Sequence, residues 1–301
     1  MRYRYVTADV FTDRRFGGNP LAVILDARGL STEQMLAVTR EFNYSESTFV
    51  LPPERAGDSC RVRIFTPGGE VPFAGHPTVG TAHVLTAIGQ LPLTGDETRL
   101  VLGEGVGPVP VLVRAEQGRP VFAQLSVAQL PTEAAPEAGD HALADVLSLD
   151  AADLLGGDWA PRVVSCGLPF LLVPVRSRDA VRRARVRTEA WERTLRGRVG
   201  SEPMVFALDA EGPGADVRAR VFVPGLSVPE DPATGSACAA LGGYLAARTP
   251  RDGTVRWVVE QGLEMGRPSR LEVEADKADG AVTAVRVGGR SVLVCEGTIE
   301  V

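Results

Sequence analysis

The sequence predicts an α+β fold made of two copies of one domain, and three observations carry that expectation. The first is a repeat. Arg63-Ile64-Phe65-Thr66-Pro67-Gly68-Gly69-Glu70-Val71-Pro72 is echoed by Arg220-Val221-Phe222-Val223-Pro224-Gly225-Leu226-Ser227-Val228-Pro229 at a spacing of 157 residues. After a two-residue slip, His76-Pro77-Thr78-Val79-Gly80-Thr81-Ala82 lines up with Asp231-Pro232-Ala233-Thr234-Gly235-Ser236-Ala237. The second is that further segments fall in matching places: Ser45-Glu46 against Ser201-Glu202, and Arg99-Leu100-Val101-Leu102-Gly103-Glu104-Gly105 against Arg256-Trp257-Val258-Val259-Glu260-Gln261-Gly262. Gly18-Asn19-Pro20-Leu21 and Gly167-Leu168-Pro169-Phe170 match only with a different gap. The third is length: 301 residues is twice the roughly 150 expected of one domain. A period this long is a domain rather than a solenoid unit. Two such copies are expected to face each other across a ligand cleft. The expected domains are 1–127, completed by a terminal strand over 291–301, and 128–290. An Ala-, Glu- and Pro-rich stretch over 128–140 connects them.

Within each copy the elements follow from local signals. Ser31 with Gln34 forms a capping-box pattern, Leu30 and Met35 form a hydrophobic staple, and Met35, Val38, Thr39 and Phe42 share one helical face, so a helix runs to about Asn43. Strands are expected from about Glu46 and over Cys60 to Phe65, where apolar and charged residues alternate before Pro67-Gly68-Gly69. Pro77 suits the first position of a helix carrying Val79, Ala82, Leu85 and Ile88, which Gly89 ends. In the second copy Asp231 is placed as N-cap and Pro232 as first residue of a helix through Ala237, Leu241 and Tyr244.

Composition excludes several function classes. No run approaches the roughly 18 apolar residues of a membrane span, and Met1-Arg2-Tyr3-Arg4-Tyr5-Val6 reads as an alternating strand rather than a signal peptide, so a cytoplasmic location is the expectation. A net charge of −6 without a sustained basic run argues against a nucleic-acid partner. Arg182-Arg183-Ala184-Arg185 reads as a solvated face. Cys60, Cys166, Cys238 and Cys295 lack metal-ligand spacing and are expected as free buried thiols. Gly103-Glu104-Gly105-Val106-Gly107 misses the dinucleotide spacing, and no phosphate-binding loop or nucleophile elbow occurs. Acid/base chemistry by side chains, without a cofactor or metal, is what remains.

Three groups stand out for it. His76 lies between Gly75 and Pro77 on an irregular segment, and an unperturbed imidazole titrates near pH 6.5. His83 and His141 have no such placement. Glu46 opens a strand after Asn43-Tyr44-Ser45, a position that an exposed strand edge would also give a glutamate. Its repeat partner Glu202 precedes Pro203, and Asp231 faces the place of His76 in the repeat, so the expected site is asymmetric. The two Pro-led helices offer unpaired N–H groups to a carboxylate-bearing substrate, helped by Thr78, Thr81, Thr234 and Ser236; the same residues could simply cap their helices.

These residues also carry a resemblance. Asp9-Val10-Phe11, Gly18-Asn19-Pro20-Leu21-Ala22-Val23, Ser45-Glu46-Ser47-Thr48-Phe49, Ala74-Gly75-His76-Pro77-Thr78, Glu230-Asp231-Pro232-Ala233-Thr234-Gly235-Ser236-Ala237, Glu260-Gln261-Gly262 and Met265-Gly266-Arg267-Pro268-Ser269 together resemble the PhzF family of phenazine-biosynthesis isomerases. That family is related in fold to diaminopimelate epimerase. The resemblance runs nearly end to end. It implies two pseudo-symmetric domains, each a β-barrel-like sheet wrapped around a central helix, an active site in the cleft between them, and a homodimer. It implies that Glu46 moves a proton between ring carbons of a 2,3-dihydro-3-hydroxyanthranilate-like substrate without cofactor. It further implies that His76 and Asp231 orient or relay and that Gly75 and Ser236 line the site with them; Asn19, Pro77, Thr78, Thr234 and Gly235, within the same motifs, are the further substrate-binding candidates. The related epimerases use one cysteine per half, and this chain has none at either matched helix entrance, which favours allylic isomerisation over inversion. An amino-acid or proline-derivative epimerase or dehydratase of the same fold, or a non-catalytic small-molecule binding protein, are the alternatives.

Overall fold

In a computed structural model, residues 1–226 and 228–301 are described; Ser227, part of the second copy of the repeat, lies outside the described residues. Met1–Ser126 with Gly288–Val301 forms one unit and Val127–Val287 the other. In the first, β1 (Arg2–Val10) pairs antiparallel with β2 (Asn19–Ile24), and β2 runs parallel to β3 (Glu46–Leu51). A parallel step needs a crossover, and α1 (Thr32–Phe42) supplies it. The capping box is present: the Gln34 N–H donates to Ser31 Oγ and the Ser31 N–H to Gln34 Oε1, while Asn43 ends the helix in the left-handed region. Leu30 and Met35 meet in the small core under this helix with Phe49 and Phe65.

From β3 the chain folds back as β4 (Cys60–Thr66) and β5 (Gly69–Val71), both antiparallel steps, and enters α2 (Gly75–Ala87). It leaves as β6 (Glu97–Glu104), parallel to β4, then turns through β7 (Gly107–Glu116) and β8 (Arg119–Ser126). Every residue of α2 from Gly75 to Thr86 is buried, and the helix packs against β1, β2, β3, β6, β7 and β8. With strands around it, α2 has no exposed face from Gly75 to Thr86, so the one-sided stripe expected from the sequence is corrected, and His83 is buried with the rest. The helix also begins two residues before the expected Pro77.

The second unit repeats the plan. β9 (Thr132–Ala134) and α3 (Asp140–Leu147) precede β10 (Arg162–Ser165), which pairs antiparallel with both β9 and β11 (Pro169–Pro174). The crossover to the parallel β12 (Pro203–Ala207) carries α4 (Arg178–Arg183) and α5 (Thr188–Thr194). Then follow β13 (Val217–Val223), β14 (Val228–Asp231), α6 (Gly235–Ala247), β15 (Gly253–Gln261) parallel to β13, β16 (Ser269–Ala278) and β17 (Ala281–Gly289). The last strand, β18 (Ser291–Glu300), pairs with β1. α6 is buried except at Ser236 and Ala247 and packs against β10, β11, β15 and β16.

Strand register fixes the residue-level correspondence. Cys60↔Leu102 and Arg61↔Gly103 recur as Val217↔Val259 and Arg218↔Glu260, a shift of 157. Ile64↔Val71 recurs as Val221↔Asp231, so three extra residues have entered the second hairpin by its last strand. Asp231 therefore stands where Val71 stands, and Ser236, rather than Asp231, takes the place of His76. The slip inferred from the shared Pro and Gly is corrected: Pro72 matches Pro232 and Gly75 matches Gly235. Asp231 ends β14 and is not an N-cap, Pro232 is not helical, and Thr234 is the N-cap residue of α6.

The matched hairpins share an ion pair. Arg63 grips Glu70 with two N–H groups and stands over the Phe65 ring; Arg220 grips Glu230 and stands over Phe222. Arg182 and Arg183 lie on α4, exposed and paired with Asp179. All four cysteines are free, but only Cys60 and Cys238 are buried; Cys166 is half-buried and Cys295 exposed, against the expectation. Among the described residues no helix is long and apolar enough to cross a membrane.

The β1–β2 connection depends on Gly18, whose φ of +60° is left-handed and whose missing Cβ would lie 2.2 Å from the Val10 carbonyl oxygen. Gly18→Ala should destabilise by about 1–3 kcal/mol, read as a lowered Tm; an unchanged Tm would mean the turn is free to rearrange.

Candidate active site

Because β2 and β3 are parallel, their N-terminal ends lie side by side, with Leu21 opposite Glu46. Asn19 and Pro20 thus stand beside Glu46, and the first turn of α2 adds Gly75, His76, Pro77 and Thr78 to the same unit. His76 Nδ1 lies 3.6 Å from Glu46 Oε2. The glutamate side chain keeps 18% of its exposure while the imidazole keeps 4%, so the glutamate is the more accessible of the two, although its Oε2, which faces His76, is buried.

Burial pushes His76 down to about 3, against a hydrogen bond to the Pro20 carbonyl that works the other way. The ring is therefore neutral at physiological pH, and the expectation that it titrates near 6.5 is corrected. A carbonyl only accepts, so the nitrogen facing Pro20 carries the hydrogen. Nε2 is buried without a hydrogen-bond partner among the described residues, and in this tautomer it presents a lone pair. His83, deeper in α2, is pushed down to about 4 by burial alone.

Behind the first turn of α2 the structure places a group that sequence reasoning missed. Thr78 Oγ1 lies 2.8 Å from the Ala74 carbonyl oxygen and 2.7 Å from Glu104 Oε1, at the end of β6. Burial, opposed by the Thr78 contact, pushes Glu104 up to about 8. Gln261 holds the equivalent place in the second unit. There its Nε2 donates to the Asp231 carbonyl at 2.7 Å and to Thr234 Oγ1 at 3.1 Å, and its Oε1 accepts the Thr234 N–H at 3.1 Å. The Thr234 hydroxyl donates in turn to Asp231 Oδ2 at 2.5 Å. Asp231, Thr234, Gly235 and Ser236 are thereby brought together at the head of α6. The signal for both missed residues was the spacing of 157 that sets Glu104 against Gln261.

Glu202 is built differently from its repeat partner. It accepts from Ser201 Oγ at 3.1 Å and is raised by burial, with no histidine in the place that His76 takes beside Glu46. It lines a pocket of about 810 Å³ within the second unit, with Pro169, Trp191 and Gly225. Cys238, at the first turns of α6, is fully buried and its thiol is pushed far up by burial and then by Asp231. Such a thiol is a packed group rather than a base. Among the described residues no three His, Cys, Asp or Glu side chains are placed to hold a metal ion.

The chain resembles known proteins along its whole length. Residues 8–297 match the model of a family described as phenazine biosynthesis-like protein. It is 39% identical over 299 residues to an uncharacterized isomerase of Mesorhizobium japonicum, and 35% identical over 295 residues to the trans-2,3-dihydro-3-hydroxyanthranilate isomerase of Pseudomonas aeruginosa, covering 98% of each chain in both cases. Its structure matches the crystal structure of a PhzF-family phenazine biosynthesis protein of Bacillus anthracis with a TM-score of 0.90 over 100% of both chains at 26% identity. The α+β architecture anticipated from the duplicated sequence is that of these proteins. The chain belongs to the PhzC-PhzF, or phenazine biosynthesis-like, protein family, a family of isomerases.

Proposed function

We propose that the protein is a cofactor-independent isomerase that moves one proton between two carbons of a small carboxylate-bearing substrate of the 2,3-dihydro-3-hydroxyanthranilate type, with Glu46 as the general acid/base. The observation that carries this reading is the pairing in the first unit of a glutamate that keeps 18% side-chain exposure with a buried, neutral imidazole 3.6 Å away. Glu46 takes a proton from one carbon. The freed C–H pair becomes a new double bond, the displaced π pair takes the proton back at the far carbon, and the carboxylate is restored, so nothing is consumed.

His76 does not donate as a cation in this scheme. Its Nε2 lone pair accepts an N–H or O–H of the substrate, which turns the reacting carbon toward Glu46. The N–H groups of Gly75 and His76, at the positive end of α2, suit a substrate carboxylate, and Thr234, Gly235 and Ser236 offer the same chemistry at the head of α6. Asn19, Pro77 and Thr78 shape the surroundings, and Asp231 orients through Thr234. The buried Cys238 thiol speaks against two-thiol racemisation.

The test is proton NMR of the protein with trans-2,3-dihydro-3-hydroxyanthranilate in D2O. Loss of the substrate's ring signals with one deuterium gained at a ring carbon supports the reading. Exchange at an α-carbon of an amino acid instead, with the ring compound untouched, would replace it by epimerisation.

A further inference from the structure

We propose that Glu104 is a positioning residue held as a neutral carboxylic acid, donating its proton to Thr78 and thereby fixing the first turn of α2 that carries His76. The geometry begins with a count of hydrogens. The Thr78 hydroxyl has one, and it stands between the Ala74 carbonyl oxygen at 2.8 Å and Glu104 Oε1 at 2.7 Å. The carbonyl can only accept. Thr78 is fully buried, so no solvent stands in for a missing donor. Both contacts are satisfied when the hydroxyl donates to Ala74 and the Glu104 carboxyl, protonated, donates to the hydroxyl.

The other oxygen leads to the same state. Glu104 Oε2 is buried, and among the described residues it has no hydrogen-bond partner and no cation pairs with this side chain. An ionised carboxylate in that position would be a buried, uncompensated charge. The facing groups do not supply compensation. Asp58 packs against Gly103, and the Cys60 thiol on β4 is itself pushed up to about 12 by burial and by the charges of Glu104 and Asp58. Arg55 lies by Gly107, on the strand that follows, and forms no ion pair with Glu104 among the described residues. The positive end of α2 favours ionisation, but burial outweighs it and raises Glu104 to about 8.

The repeat supplies an independent argument. Gln261, at the matched place, is a permanently neutral donor, and its amide holds the connection into α6 through the Asp231 carbonyl and Thr234. The flanking clamp is also repeated. Gly105 packs so closely on Pro72 that a Cβ would lie 2.7 Å from its Cα, and Gly262 packs on Pro232 with a Cβ 2.6 Å from its carbonyl oxygen. The Val106 N–H donates to the Pro72 carbonyl at 3.1 Å. Each copy thus has a neutral hydrogen donor at the end of the strand that follows the central helix, an acid in one and an amide in the other.

The consequence for turnover rests on the proton-transfer reading above; the protonation state does not. The first experiment is carbon NMR of protein labelled at glutamate carboxyls, beside Glu104→Gln. One resonance, missing in the variant, should titrate with a midpoint near 8; a carboxylate shift for it already at pH 6 overturns the proposal. The second is Tm against pH. Because the folded pKa lies above the unfolded value of 4.5, the stability from this group is fully present below about 4.5 and is lost as pH rises to about 8. The Tm of Glu104→Gln relative to wild type should therefore climb between those values and level off beyond; a difference independent of pH overturns the proposal. In the third, Glu104→Ala lowers turnover by up to about 100-fold through misplacement of the turn, Gln rescues it at neutral pH, and the alkaline loss seen near pH 8 in wild type is absent in the Gln variant. A Gln variant that keeps the alkaline loss counts against the assignment. If wild type turns over no substrate, the proton-transfer reading fails while the first two measurements still decide the state of Glu104.

Discussion

Glu46→Gln should lower turnover about 10²–10⁴-fold, the usual worth of a positioned general base, without shifting Tm. The amide keeps the size and shape of the side chain at the start of β3 and loses only the ability to accept a proton. Turnover within about tenfold of wild type would remove Glu46 from the role of base. Glu202→Gln is the control built into the duplication: the same residue type at the same place in the repeat, without a neighbouring histidine, should leave turnover unchanged. His76→Gln should lie between them, because a neutral ring contributes by accepting a hydrogen bond rather than by moving the proton.

Arg220→Ala should be the most destabilising of the single changes considered, by about 3–5 kcal/mol. Its guanidinium is 3% exposed and holds Glu230 with two N–H groups, while a third nitrogen donates to the carbonyls of Val181, Arg182 and Ala184. Removal leaves a mostly buried carboxylate without its partner; the three carbonyls keep other donors, the Ala184 N–H at Val181 and Arg185 Nη1 at Arg182 and Ala184. Arg63→Ala, at the matched position, should cost about 1 kcal/mol or less, because Arg63 and Glu70 keep 16% and 38% exposure and water replaces the lost partner. Urea unfolding of both variants checks the ratio. Equal losses would show that burial is not what separates the two pairs. Arg220→Met, which removes charge but fills space, leaves Glu230 charged and should still be destabilising; adding Glu230→Gln should restore part of the loss.

Much of this was legible in the residues. Ser31 and Gln34 cap α1 as the capping-box pattern requires, and Asn43 ends it, because those signals act within one turn of chain. The duplication was legible because the two stretches keep the same turn residues at one spacing, Pro67-Gly68 against Pro224-Gly225, whereas the match of the Arg63–Glu70 pair to Arg220–Glu230 came only with the strand register. The head of the second helix was not. Asp231-Pro232 looked like a cap and a first turn by composition, yet the longer second hairpin carries Asp231 to the end of β14, where pairing with Val221 fixes it. Nor was the all-round burial of α2 legible, since a period-3.6 reading assumes one wet face and the surrounding strands leave none.

By itself the sequence determined the α+β class, the internal repeat and the identity of Glu46, His76 and Asp231 as the groups of interest, because spacing and residue type are local quantities. Tertiary structure alone decided the charge state of His76 and of Glu104. The approach of His76 to Pro20 and the enclosure of α2 remove water from the imidazole and from Glu104, leaving one unprotonated and the other with its proton. Ionisation depends on what surrounds a group in space, and that is set by residues distant along the chain, such as Pro20 beside His76 and Glu104 beside Thr78.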